Sequence, residues 1–260
     1  MSALRLVGSA LPVAARAGHR IAGTGAVAAA AAARLGALRR RDARAGRRER
    51  ARLLRDLLAR LTALHGIEVA VEGRRLWGPV LLASNHVSWL DPVVLGGLVP
   101  CVPISKLDVS SWPVVGPLAR ELGVLFVDRG DGHSGMAVMR GAVRALEDGV
   151  AVLNFPEGTT TRGDRVLPFR TGLFSAARSR GAEVVPVAIA YDPPELAWVG
   201  DDAFVPHYLR LAGRRRVRVT VRFGAPVAAR DTASGAELAA VARGRVEALL
   251  RGPDAAAAGV

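Results

Sequence analysis

Between residues 47 and 64 the apolar positions recur at helical spacing. Leu53, Leu54, Leu57, Leu58, Leu61 and Leu64 form the apolar stripe, and Arg50, Arg52, Arg55 and Arg60 fill other positions. Gly66 follows as a C-terminal stop. Beyond it the pattern changes to short apolar runs separated by longer segments. Runs at 67–71, 79–84, 102–105, 124–127, 150–155 and 184–190 read as strands. Residues 217–223 alternate strictly, with Arg218, Thr220 and Arg222 on one face, as a half-exposed strand does. Segments 92–98, 116–122, 134–147, 171–179 and 236–250 read as helices. This alternation predicts an α/β fold, a layered mixed sheet flanked by helices, preceded by a basic helical N-terminal arm. The domain is expected over 47–251. Residues 1–46, Ala/Gly-rich and then Arg-rich, are expected to be a poorly specified arm, flexible or membrane-associated, and 252–260 a disordered tail.

Composition adds three things. The chain has 260 residues, 50% of them hydrophobic, enough for a sizeable core. The single cysteine, Cys101, lies in an apolar run and reads as core; an internal disulfide framework is excluded, which suits a reducing compartment. The net charge of +13 is lopsided: residues 1–60 hold 14 Arg against 3 acidic residues. Such an arm suits an anionic membrane surface. It contains no Phe, Tyr or Trp on which bases would stack, so nucleic acid is not expected as a partner. No run reaches the roughly 18 uncharged apolar residues of a spanning helix; 21–33 is short, Ala-rich and holds two Gly. No signal peptide is read at the start, where Arg16, His19 and Arg20 interrupt the apolar residues. Helix 47–64 is read equally as a membrane-interface helix and as one packed on the domain.

The chemistry gathers where strands end. His86 directly follows the apolar run 80–84, and Asp91-Pro92 reads as a helix start, with Asp91 as N-cap and Pro92 in the first turn. A carboxylate one short loop beyond an imidazole can fix its tautomer and make it a better base. Residues 123–127 form a strand ending in the charged pair Asp128-Arg129, with Arg129 placed to meet an anion. Residues 154–162 leave another strand through Glu157, Gly158 and the hydroxyls Thr159, Thr160 and Thr161. Pro186 interrupts the run 184–188, so an irregular strand is expected beside the site.

The order and spacing of these blocks, NHVSWLD, GVLFVDR, FPEGT and VPV, resemble those of the glycerolipid (lysophosphatidic acid) acyltransferases, over roughly residues 65–225. The resemblance implies transfer of a fatty acyl group from acyl-CoA or acyl carrier protein to a lysolipid hydroxyl, at the cytoplasmic face of a membrane and peripheral or monotopic to it. It implies no further cofactor and no metal. It implies His86 as general base, Asp91 as its orienting partner, and Arg129, Glu157, Gly158 and Thr159 as positioning groups for the acceptor, with Lys106 as a lesser one. One departure stands out. Family members that act on lysophosphatidic acid commonly carry Arg directly after FPEGT; here that place is Thr160, and the nearest Arg is Arg162. The segment from Trp198 to His207 and the run 165–169 look like the branch that acylates lyso-ornithine lipids. Lysophosphatidic acid, the family's commonest acceptor, is the first expectation, with Arg162 as substitute, and lyso-ornithine lipid is the alternative. Two further readings are weighed against this one: a thioesterase with Ser88 as nucleophile, although no Gly-x-Ser-x-Gly elbow occurs, and a non-catalytic basic membrane-binding module.

Overall fold

The structure is a computed structural model, and it describes residues 12–41, 46–128, 130–192, 194–200 and 202–252. Two helices lead, α1 (Val13–Arg41) and α2 (Arg47–Leu64). The sheet and its helices follow as β1 (Ile67–Glu72), β2 (Val80–Ser84), α3 (Asp91–Leu98), β3 (Cys101–Lys106), α4 (Val115–Glu121), β4 (Leu125–Val127), α5 (Gly132–Glu147), β5 (Ala151–Asn154), α6 (Gly172–Ser179), β6 (Glu183–Asp192), α7 (Phe204–Gly213), β7 (Val217–Phe223) and α8 (Gly235–Arg251).

The strands form a seven-stranded sheet in the order β1-β7-β6-β2-β5-β3-β4. All neighbouring pairs are parallel except β6–β7, so the mixed sheet read from the sequence is present. The central strands β2 and β5 are buried along their whole length, as their unbroken apolar runs require. One apolar layer lies against α8, α6 and α5, around Phe174, Leu146 and Leu238. The other lies around Leu82, Leu95, Leu153 and Ile189. The C-terminal ends of β2, β3, β4, β5 and β6 share one edge, where open α/β sheets place their ligands.

Pro186 stands inside an interior strand, not on an edge. It pairs with Ala83 of β2, and its carbonyl accepts from Gly224 N–H at 2.9 Å. The β7 ladder runs only from Val187 onward, and below it lies the single bridge Val184–Val227. The missing N–H therefore faces a gap in the ladder, the irregularity expected beside the site, while β6 itself runs on over ten residues.

Helix α2 keeps the boundaries read from its stripe, and the choice between membrane and domain falls to the domain. Ala51, Leu54 and Leu57 are buried, and its backbone lies against α3. A Cβ on Gly97 would meet Ala59 N at 3.0 Å, so glycine permits that approach.

The arm expected ahead of the domain is helical, as read, but better specified than expected: its described part is one 29-residue helix, α1. Alanine, the best helix former, outweighs the cost of its scattered glycines. Helix α1 is also long and apolar enough, by length and composition, to cross a membrane, although its uncharged stretch is only 21–33, between Arg20 and Arg34. Its first half is tied to the domain: Arg20 donates to the carbonyls of Leu64, Leu211, Ala212 and Arg214, and Arg16 to that of Gly213. These carbonyls lie at the ends of α2 and α7, where a helix runs out of its own donors, and guanidinium groups bond to them. The basic charge of residues 1–60 is thus partly structural. Arg34 pairs with Asp56, Arg39 with Glu121 and Arg47 with Asp148. Helix α7 was not foreseen. Pro206 in its first turn and the lack of a capping side chain hide it, and burial of Leu211 and Ala212 holds it.

Candidate active site

Strand β2 ends at Ser84, and Asn85 turns the chain off the sheet without leaving a broken ladder. Its amide donates to Ile189 O at 3.0 Å and accepts from Ile189 N–H at 2.9 Å, acting as one more rung. His86 is thereby delivered above the strand end. Its Nδ1 lies 2.7 Å from Asp91 Oδ2. Asp91 is not the N-cap of α3; that position is Leu90, and Asp91 is the first helical residue. Its carboxylate points back into the loop, where Oδ2 also accepts from Val87 N–H at 2.7 Å and Ser88 N–H at 2.9 Å. Oδ1 accepts from Tyr191 Oη–H at 2.6 Å.

Asp91 is fully buried and acceptor-saturated, a state a carboxylate keeps only when compensated in this way. Burial first, and then the Asp91 charge, pushes the Tyr191 hydroxyl well above its usual pKa, so it stays a donor. With Nδ1 committed to Asp91, Nε2 is the nitrogen left to exchange protons. Phe155 stacks on the imidazole, ring centroids 4.3 Å apart, and fixes its plane.

Glu157 is 6% exposed and does not line the cavity described below. Oε1 accepts from His86 N–H at 2.7 Å and Oε2 from Leu167 N–H at 2.8 Å. Both oxygens are spent on backbone, so Glu157 braces the His86 loop instead of meeting the acceptor. Burial raises its pKa, opposed by those two hydrogen bonds.

The site opens into a cavity of about 1040 Å³. Its polar end is lined by His86, Lys106, Asp128, Gly158, Thr159, Thr160 and Arg170. Its remaining walls are mostly apolar, drawn from α1 (Ile21, Ala28), α2 (Leu57, Leu61), α4 (Leu118, Ala119), α5 (Met136, Met139) and α7 (Phe204, Tyr208). Trp89, three residues from His86, forms part of the wall and packs edge-on against Phe204 at 5.1 Å. Its indole N–H donates to His207 Nδ1 at 3.0 Å, while His207 Nε2 lies 3.2 Å from Leu196 O. That pair of contacts requires a neutral ring, and burial lowers the His207 pKa accordingly. The segment carrying Trp198 crosses the His86 loop, with Trp198 N–H donating to Val87 O at 2.9 Å.

The remaining expected residues fall out as follows. Gly158 and Thr159 line the polar end, and so does Lys106, which is ion-paired with Asp108. Arg162 is exposed and not among the lining residues. Arg129 lies outside the described residues. Ser88 is completely buried and does not line the cavity, which removes it as a nucleophile. Sequence reasoning missed Tyr191, Arg170 and the Trp89–His207 pair. Tyr191 had a signal: it continues the alternation Val185, Val187, Ile189 by one step, a hydroxyl-bearing ring on a buried face.

A largely apolar cavity lined by His86, whose imidazole is held by Asp91, has room for an acyl chain beside a base, and relatives agree. The acyltransferase family model matches residues 62–190. The lyso-ornithine lipid O-acyltransferase of Pseudomonas aeruginosa is 38% identical over 78% of this chain and 80% of that protein. The chain belongs to the acyltransferase family. A Brucella abortus lyso-ornithine lipid O-acyltransferase is 36% identical over 77% of this chain and 82% of its own length. The 1-acyl-sn-glycerol-3-phosphate acyltransferase of Neisseria gonorrhoeae is 36% identical over 48% of this chain and 49% of that protein. The crystal structure of the 1-acyl-sn-glycerophosphate acyltransferase of Thermotoga maritima shares the fold, with a TM-score of 0.58 at 22% identity over 79% of this chain and 82% of that one. The protein is an acyltransferase of lysolipids, an enzyme, and its family's work on lipids suggests membrane association.

Proposed function

We propose that this acyltransferase esterifies the hydroxyl of a lyso-ornithine lipid with a fatty acyl group taken from a thioester, acyl-CoA or acyl carrier protein. The observation that carries the chemistry is the 2.7 Å contact between His86 and a saturated Asp91 at the polar end of the apolar cavity. His86 Nε2 takes the proton of the acceptor hydroxyl as its oxygen attacks the thioester carbonyl. Asp91 stabilises the imidazolium that forms. The tetrahedral intermediate collapses, the C–S bond breaks, and the imidazolium protonates the departing sulfur. No covalent acyl-enzyme is required. The acyl chain occupies the apolar walls, where each buried methylene contributes about 0.8 kcal/mol.

Two observations favour lyso-ornithine lipid over lysophosphatidic acid and reverse the order expected from the sequence. The similarity to lyso-ornithine lipid acyltransferases runs over four-fifths of the Pseudomonas protein, against about half of the gonococcal one. Thr160 stands where a phosphate-binding Arg is usual, and Arg162 does not line the cavity in its place. The exposed face of α1, apolar and tied down by Arg16 and Arg20, suits peripheral contact with the cytoplasmic leaflet from which the acceptor comes.

The test is purified protein with a labelled acyl thioester and each lysolipid in turn, read by mass spectrometry. Diacylated ornithine lipid forming much faster than phosphatidic acid is the expected result. The reverse order would overturn the acceptor, and free fatty acid with no ester would overturn the transfer.

A further inference from the structure

The loop that follows β5 makes an excursion and is clamped back onto its own start. Thr161 N–H donates to His86 O at 2.8 Å and Gly163 N–H to Thr161 Oγ1 at 3.2 Å. This turn leaves Arg162 exposed and off the cavity wall. The chain then returns: Leu167 N–H reaches Glu157 Oε2 at 2.8 Å, and Arg170 N–H reaches Pro156 O at 2.9 Å. Arg170, twelve positions after Gly158 in sequence, is its neighbour in space. A Cβ built on Gly158 would lie 2.5 Å from Arg170 Nε and 3.0 Å from Cζ. The guanidinium therefore lies against the Gly158 backbone, and Gly158 has the positive φ of 74° that glycine adopts freely.

This guanidinium lines the same polar end as His86, Thr159 and Thr160. Among the described residues it has no carboxylate partner, whereas Lys106 is taken up by Asp108. The hydroxyls of Thr159 and Thr160 likewise have no partner there. We propose that Arg170, with the Thr159 and Thr160 hydroxyls, is an anion subsite that holds the acidic group of the acceptor, a carboxylate or a phosphate, and does the work the sequence assigned to Arg162. The proposal rests on the acyl-transfer reading of the His86 site. A guanidinium offers a planar fork that matches either anion with two parallel hydrogen bonds. Its anchorage through its own N–H to Pro156 O, and the burial of the preceding Phe169, set the side chain's origin relative to His86.

The experiment compares the full-length protein with R170A, R170K and R162A at saturating acyl thioester. The acceptors are lyso-ornithine lipid, which carries a carboxylate, lysophosphatidic acid, which carries a phosphate, and monoacylglycerol, which carries neither. Loss of a charge-assisted hydrogen-bonded pair predicts a rise of about 10- to 100-fold in acceptor KM for R170A. The kcat and the KM for the thioester change little, R170K recovers part of the loss, and monoacylglycerol is unaffected. The acidic acceptor that suffers the larger rise identifies the group held. Binding of the two acidic lysolipids is followed in parallel by tryptophan fluorescence, since Trp89 and Trp198 line the cavity. If the unmodified protein binds these lipids but transfers nothing, the function proposed above fails while the subsite is still judged by whether R170A weakens binding. The subsite is overturned if R170A leaves both KM and binding unchanged, if the thioester KM rises instead, if monoacylglycerol suffers equally, or if R162A has the larger effect.

Discussion

The two ends of the cavity are built in opposite ways. The polar end is made by loops that leave the sheet at neighbouring strand ends, and the groups that hold His86 there are spoken for. Asp91 alone accepts from His86, Val87, Ser88 and Tyr191. The apolar end is made by side chains from α1, α2, α4, α5 and α7, joined by packing. At the first end, geometry is set by directional hydrogen bonds, and a change of one atom redirects a proton. At the second, only volume and polarity are specified, and changes are graded. The difference suits the division of labour: a reaction centre needs one arrangement, whereas a chain-binding region needs room of about the right shape.

The largest effect separating the two ends is expected from His86→Ala. Loss of a general base costs about 10²–10⁴-fold in kcat. Binding of the acyl chain should persist, because the apolar walls are untouched. A kcat within tenfold of the unmodified enzyme would show that another group takes the proton. Asp91→Asn should lose less, since the imidazole remains but loses its orienting charge. Circular dichroism must show the fold retained, as Asp91 also holds the N–H groups of Val87 and Ser88.

At the apolar end, Ala28→Trp and Ala119→Trp place a large ring on the cavity wall. With about 0.8 kcal/mol per methylene, excluding two methylenes lowers kcat/KM for the longest thioester about tenfold relative to a short one. The rate with the short donor should be nearly unchanged. An unaltered chain-length profile would show that the chain lies elsewhere.

The smallest effect concerns His65, on the cavity wall between Leu61 O and the Tyr208 hydroxyl. Burial lowers its pKa from 6.5 to about 4. Because the folded-state value is depressed for a base, the folded state resists protonation. Stability is full above 6.5 and is lost as pH falls towards 4, by at most about 3 kcal/mol. Thermal melts between pH 7 and 4 should show this slope, and His65→Asn should flatten it. A slope that is the same in the variant would assign it to other groups.

The same contrast explains what was legible beforehand. The polar end follows the chain: His86 and Asp91 are five residues apart, and Glu157 and Gly158 are adjacent, so local reading found them. It misjudged roles where partners are distant. Glu157 looked like a ligand of the acceptor because its true partner, Leu167 N–H, comes ten residues later. Arg170 was passed over for Arg162 because only the closed loop returns it to Gly158. The strands were legible from their periodicity. The extent of α1 and the existence of α7 were not, because alanine-rich and proline-containing segments give weak patterns and tertiary packing decides them. The apolar cavity had no sequence signature at all, since its residues are spaced over almost the whole chain.

The account stands on the two ends acting as one site. The most direct test is a crystal structure with a non-hydrolysable acyl thioester analogue. The account predicts the alkyl chain along the walls formed by α1, α2, α4, α5 and α7, with the thioester carbonyl beside His86 at the polar end. An alkyl chain bound outside this cavity, or one inside it with its carbonyl remote from His86, would contradict it.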